Sequence, residues 1–228
     1  MATSDSKGHR QRLWQRLEEA GFRQGFVHDY EKLEFLLTFV IAQKDTKPMA
    51  KALIHRFGSL NDVIHAPVER LQEVPGIGPK TAMYLKVLHE LMLSLDEYEL
   101  KRSDLLNHPD AVKAYLRREL AWEEAEYLVA LYLNTENRLL KKGRMFRGTV
   151  NHVAHYPREL AKEALACNAA RVLIAHNHPS GRPEPSAEDV RATRDIAAAL
   201  KLVGVSLLDH FIVGPHEVTS LRERGLMP

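Results

Sequence analysis

From His9 to about Leu95 apolar positions recur at intervals of three and four, as at Leu33, Leu36, Leu37 and Val40. That period predicts helices rather than alternating strands. Gly21, Gly25, Gly58, Pro67 and the segment from Pro75 to Pro79 interrupt it, so several short helices are expected. A small all-α domain over residues 1–100 is the resulting expectation. The pattern changes beyond the charged stretch SLDEYELKRSDLLNHPD, and residues 101–108 are expected to form a linker. AVKAYLRREL then reads as a helix, and EYLVALYLNTENRLLKKGRMFRGTVNHVAHY reads as three strands separated by Asn, Gly and Lys clusters. PRELAKEALACNAA opens a helix at Pro157, RVLIA follows as a buried strand, and a helix runs from Ser186 to about Leu202. VSLLDHFIVG and EVTSL form a last strand pair. Residues 109–228 are therefore expected to be an α/β domain.

A length of 228 residues suits two small domains, each with its own core, and 45% hydrophobic with 27% charged residues is an ordinary globular composition. No segment approaches the roughly 18 apolar residues of a membrane span, and the start MATSDSKGHRQR lacks the apolar stretch of a secretory signal. A soluble cytoplasmic protein with no membrane partner is expected. The single cysteine, Cys167, sits among small apolar residues and reads as a buried structural thiol. Charge does not announce a nucleic-acid partner: residues 1–100 carry 13 Lys and Arg against 14 Asp and Glu, and the remainder 19 against 16. Neither half is strongly basic. The one dense cluster, Arg138, Lys141, Lys142, Arg144 and Arg147, reads first as a solvated hairpin.

In the first half, VPGIGPK, Val74 to Lys80, lies between two helical patterns and resembles the turn of a helix-hairpin-helix DNA-binding motif. Gly76 and Gly78 permit a tight turn and close backbone approach, and the helix start beside Lys80 offers N–H groups to a phosphate. Such contacts position a DNA backbone without reading its sequence. The same turn could equally do no more than join two packed helices.

In the second half, RVLIA ends in His176 and His178. Alternate residues of a strand share a face, so the two imidazoles project together, and imidazole nitrogen suits zinc. A catalytic zinc generally takes three protein ligands, and Asp189, eleven residues after His178, is the candidate for the third. Ser186 and Asp189 are also spaced as a helix N-cap and its third residue, which by itself is a capping signature. The two roles are compatible, because a carboxylate in a first helical turn can face back toward the strand end. His210 reads as a structural hydrogen-bonding residue, and His152 and His155 as surface residues.

The spacing in HNHPSGRPEPSAED, His-x-His followed after seven residues by Ser-x-x-Asp, resembles the JAMM metalloprotease signature of MPN domains. More widely the chain resembles the bacterial RadC family, through GHRQRL, DYEKLEFLL, DTKPMAKALIHRFGSL and VPGIGPKTA in the first half. RGTVNHVAHYPREL, NAARVLIAHNHPSG and LDHFIVG carry the likeness in the second. The resemblance implies an MPN/JAMM (cytidine-deaminase-like) α/β domain behind a small all-α helix-hairpin-helix domain. It implies one Zn2+ held by His176, His178 and Asp189, with a glutamate holding the attacking water. Glu126 is the expected glutamate, with Glu123, Glu124 and Glu159 as rivals, and Ser186 is expected to donate to the developing oxyanion.

Zinc-dependent hydrolysis of an amide bond in an unidentified protein or peptide is the leading expectation, with DNA contact through Gly76, Gly78 and Lys80. Two alternatives stay open. One is a non-catalytic accessory of DNA repair or recombination, and the other is a metal-dependent nuclease. The letters H-N-H carry no weight for the latter, because the residues of HNH nucleases are spread over about thirty positions.

Overall fold

The structure, a computed structural model, describes residues 5–42, 44–146 and 156–228. The chain divides into two compact units, Met1–Leu91 and Met92–Pro228.

The first unit is helical: α1 (Asp5–Gly25), α2 (Asp29–Thr38), α3 (Lys47–Phe57), α4 (Leu60–His65), α5 (Val68–Gln72) and the start of α6 (Pro79–Arg102). Its breaks fall where glycine and proline predicted them. Gly21 interrupts α1 at φ 71°, Gly58 ends α3 at φ 97°, and Pro67 separates α4 from α5. Leu33, Leu37, Leu53, Leu71 and Leu85 are fully buried in its core. Burying a leucine is worth about 1.5–3 kcal/mol, so these five positions carry much of the cohesion.

Division between the units falls inside α6, whose second half belongs to the second unit through buried Leu93 and Leu100. Residues 101–108, expected as a linker, hold the end of α6 and a 3-10 turn, Leu105–Asn107, whose Leu105 is 1% exposed. The charges that suggested a linker are spent on partners: Asp96 pairs with Arg118, and Glu97 binds Lys142 at 2.7 Å and Tyr115 at 3.0 Å.

The second unit adds α7 (Pro109–Leu120), β1 (Tyr127–Leu133), β2 (Leu139–Phe146), α8 (Tyr156–Ala166), β3 (Arg171–Asn177), α9 (Ala187–Leu202), β4 (Ser206–Val213) and β5 (Val218–Ser220). The sheet order is β2-β1-β3-β4-β5, antiparallel except for β3 and β4, which run parallel across the α9 connection. Strand alternation sorts the core into two layers. Leu128, Ala130, Val172 and Ile174 pack with α8 and α9, whereas Val129, Leu131, Leu173 and Phe211 pack with α7 and the end of α6. The third strand expected before α8 lies outside the described residues, as do His152, His155 and Arg147.

The three basic residues of the cluster that lie on β2 are paired with acids of the same unit. Lys141 pairs with Glu163, Lys142 also with Glu119 at 3.1 Å, and Arg144 with Glu119 at 3.3 Å and Glu123 at 2.8 Å. Cys167 is half-buried, its thiol 3.6 Å from the Ala164 carbonyl. No described helix is long and apolar enough to cross a membrane.

Candidate metal centre

β3 is the middle strand of the sheet, with β1 on one side and β4 on the other. Its C-terminal end delivers His176 opposite Leu128 and Ile212, on the face covered by α9. The strand proper stops at Asn177. His178 lies one residue beyond, but its N–H still donates to the Val213 carbonyl at 3.1 Å, which extends the parallel ladder. The following turn closes with the Gly181 amide on the His178 carbonyl at 2.8 Å, Gly181 itself at φ 81°. The chain then enters α9 through Ser186.

The capping signature is real. Ser186 Oγ accepts from the Asp189 amide at 3.1 Å, and the Asp189 carboxylate accepts from the Ser186 amide at 2.9 Å. The same carboxylate reaches back to the strand end: Oδ1 lies 3.2 Å from His176 Nε2 and Oδ2 3.4 Å from His178 Nε2. The two Nε2 atoms are 2.9 Å apart. Capping and convergence are thus one geometry, with the cap holding a buried aspartate, 2% exposed, where two imidazoles meet it.

This cluster demands a positive centre. His178 Nδ1 is 2.8 Å from the Arg182 carbonyl, which can only accept, so that nitrogen carries the hydrogen and Nε2 of the neutral ring presents a lone pair. A lone pair, a second imidazole nitrogen and a carboxylate cannot crowd together without a proton or a cation between them. Burial pushes the Asp189 carboxyl up, but the Ser186 hydroxyl and the two imidazoles, whenever a proton sits on their Nε2 atoms, hold it far below the ordinary carboxylate range. Its carboxylate in turn raises the His178 pKa. Tetrahedral ligands about 2.05 Å from zinc stand about 3.3 Å from one another; here the two Nε2 atoms are 2.9 Å apart, and each faces a different Asp189 oxygen, at 3.2 and 3.4 Å.

Glu126 is the acid brought to this cluster. It immediately precedes β1, stands 3.8 Å from His176 Nε2, and groups with His176 and His178 within 4.8 Å. Its side chain is 32% exposed, so solvent reaches it. The rivals are otherwise engaged or turned outward: Glu123 pairs with Arg144, Glu159 is exposed beside Lys162, and Glu124 is exposed.

Asn177, which the sequence reading passed over, holds Glu126 in place. Its amide points away from the two imidazoles and donates to the Glu123 carbonyl at 3.1 Å and the Ala125 carbonyl at 2.9 Å. Its oxygen accepts from the Tyr127 amide at 2.9 Å. The residues on both sides of Glu126 are therefore fastened to the strand that carries the histidines. The signal in the sequence was an amide residue between two candidate ligands at the end of an apolar strand; Asn177 is 2% exposed, and a buried amide needs partners.

The hairpin in the first unit separates its two glycines. Gly76 adopts φ 90°, and a Cβ there would come 2.7 Å from Met49 Sδ, so local packing alone requires it. A Cβ at Gly78 would meet nothing within 4 Å. Lys80 is exposed on the first turn of α6, and the Ala82 amide donates to the Gly78 carbonyl at 3.0 Å.

A mixed α/β domain with a His-x-His strand end facing a capped aspartate, preceded by a helical hairpin region, defines the class: a JAB-type domain with a helix-hairpin-helix segment. The chain belongs to the RadC family. Residues 106–226 match the RadC-like JAB domain, and residues 47–85 match a SAM-like helix-hairpin-helix tandem. Among curated relatives, UPF0758 protein FN0909 of Fusobacterium nucleatum subsp. nucleatum is 36% identical over all of both chains. UPF0758 protein SPO0054 of Ruegeria pomeroyi is 38% identical over 97% of this chain and 98% of its own. Neither name states an activity.

Proposed function

We propose that this RadC-family chain is a zinc-dependent hydrolase of amide bonds in a protein or peptide substrate. In this reading His176, His178 and Asp189 hold the metal, Glu126 is the general base and acid, and Ser186 donates to the oxyanion. One observation carries it: two imidazole nitrogens and a buried carboxylate converge within 2.9–3.4 Å, and a part-exposed glutamate stands 3.8 Å off. Zinc bound there would supply a Lewis acid and bring the pKa of a water to about 7.

The remaining chemistry belongs to the chain. Two neutral imidazoles and one carboxylate would leave a divalent cation with a net positive charge, which attracts the Glu126 carboxylate. Glu126 then takes a proton from water and passes it to the leaving amine, a role that needs the solvent access it has. Ser186 has prior engagements, since its hydroxyl donates to Asp189 Oδ2 at 2.6 Å while accepting from the Asp189 amide. It must turn its proton away from Asp189 to meet an oxyanion, at the cost of that one hydrogen bond.

We also assign backbone contact with DNA to the hairpin of the helical unit, through Gly76, Gly78 and Lys80. Open space over Gly78 and the exposed Lys80 support this.

Metal analysis of the purified chain tests the central reading. Stoichiometric zinc in the wild type, lost in His178→Ala and Asp189→Ala, is expected; absence of zinc from the wild type, or its retention in both variants, overturns the assignment. A Glu126→Gln pull-down then serves to trap the substrate. DNA incubated with zinc-loaded wild type and Glu126→Gln should stay intact, and cleavage by the wild type alone would replace peptide with phosphodiester as the substrate bond.

A further inference from the structure

Behind the candidate centre a buried chain of hydrogen bonds connects two of its proposed ligands. Thr193 Oγ1 lies 2.6 Å from the Asp189 carbonyl oxygen and 2.6 Å from His210 Nδ1. His210 Nε2 lies 2.8 Å from His176 Nδ1. Thr193 and His176 are fully buried, and Asp189 and His210 are 2% exposed. These residues come from three elements, since Asp189 and Thr193 are one turn apart on α9, His210 is on β4 and His176 is on β3.

With both imidazoles neutral, the direction of every hydrogen in this chain follows from its first bond. A hydroxyl has one proton, and a carbonyl can only accept, so Thr193 gives its proton to Asp189. Toward His210 it can then only accept, and Nδ1 of His210 must carry a hydrogen. Nε2 of that neutral ring is left as an acceptor, and His176 Nδ1 must donate to it. The hydrogen of neutral His176 is thereby placed on Nδ1, away from the cluster.

We infer that Thr193 and His210 are positioning residues that fix His176 as its Nδ1–H tautomer and aim the Nε2 lone pair at the cation site. This rests on the metal reading above. The alternative tautomer would put a hydrogen where a ligand lone pair is needed. His178 obtains the same tautomer directly, from the Arg182 carbonyl in the surface turn. His176 is fully buried on the middle strand, and a side-chain relay supplies the contact that a loop carbonyl gives His178. Because the relay ends on the backbone of Asp189, the same chain that orients the first ligand also braces the helix turn carrying the third. His210 is uncharged in this role, so it orients the ligand without adding the negative charge that a carboxylate partner would bring.

Two measurements on the full-length protein test this. Long-range 1H–15N spectra of the imidazoles, recorded on the protein as purified, are expected to show His210 with its hydrogen on Nδ1 and an accepting Nε2. A hydrogen on Nε2 of His210 reverses the chain and overturns the inference, whatever the metal content. Zinc affinity by chelator competition is the second: Thr193→Val, which keeps the shape and removes the hydroxyl, and His210→Ala should each weaken binding about 10–100-fold. Thr193→Ser should return to within about 3-fold of wild type, a rescue that a purely volumetric role for Thr193 does not predict. Wild-type affinity in Thr193→Val and His210→Ala would leave the metal reading intact and overturn the relay. A wild type that holds no zinc would overturn the metal reading itself, while the tautomer spectra still decide the direction of the chain.

Discussion

Replacing Asn177 by alanine separates the support of Glu126 from the proposed metal ligands on either side of Asn177 in sequence. The side chain makes three hydrogen bonds with the 123–127 backbone, at 2.9, 2.9 and 3.1 Å, and is 2% exposed. A net hydrogen bond is worth about 1 kcal/mol, and each abandoned buried partner adds a desolvation cost, so Asn177→Ala should lower stability by about 3 kcal/mol. Asn177→Asp keeps an acceptor for the Tyr127 amide but turns an acceptor toward the Glu123 and Ala125 carbonyls, and it should be no more stable than the alanine variant. Urea unfolding followed through Trp122 in a Trp14→Phe background reports on the second unit alone, because the chain's two tryptophans lie in different units. The same variant should retain zinc, since His176 and His178 point to the other face of the strand, yet lose activity that depends on Glu126. A loss below about 0.5 kcal/mol, the range of an indifferent surface substitution, would refute the clamp. So would loss of zinc in a folded Asn177→Ala protein.

Other consequences are checked more briefly. Zinc at a hundredfold excess over its Kd should stabilise the fold by about 2.7 kcal/mol, raising Tm by roughly 5–10 °C, with no such shift in His178→Ala. By differential scanning calorimetry, Gly76→Ala should destabilise the first unit by about 1–3 kcal/mol through its positive φ and the Met49 contact, whereas Gly78→Ala should stay within about 0.5 kcal/mol. If the hairpin binds DNA, Lys80→Glu should weaken binding and flatten its salt dependence, and an unchanged salt slope would count against that contact. Burial raises the Glu31 pKa, but Arg16 at 2.7 Å and the Val27 and His28 amides at 2.7 and 3.1 Å more than offset it, leaving a folded value below the ordinary one. A depressed carboxyl stabilises above the unfolded pKa and loses that contribution as pH falls through the folded value. Glu31→Gln should therefore cost about 1–3 kcal/mol at pH 7, a deficit relative to wild type that shrinks below about pH 4.

The sequence made legible what is local. A two-residue repeat on a strand and a three-residue spacing at a helix start are backbone geometries that short windows contain, so His176, His178, Ser186 and Asp189 could be picked out from fourteen consecutive letters. Helix breaks at Gly21, Gly58 and Pro67 were legible for the same reason. Partners that meet through the sheet were not. Glu126, 50 residues before His176, was preferred to Glu123 and Glu124 only through the family resemblance and its place before the first strand; the register that sets Leu128 opposite His176 supplies the physical reason. The charged stretch around Asp96 and Glu97 looked solvent-bound because its cations, Arg118 and Lys142, come from α7 and β2.

His210 shows the physical reason for the difference. From sequence it was a histidine on an apolar strand, for which a structural hydrogen bond is a sound expectation, and it does make structural hydrogen bonds. Their meaning lies in what they connect. A parallel β3–α9–β4 step is a long path in sequence but places its first strand, helix and second strand side by side, and that adjacency lets one threonine on the helix receive a hydrogen from β4 while returning its own to the backbone of Asp189. The cap that makes Asp189 predictable and the relay that orients His176 thus start within one turn of α9. A substitution in that turn that left the helix folded could still disturb two proposed ligands together, which makes the turn, more than either histidine taken alone, the element on which the geometry of the centre depends.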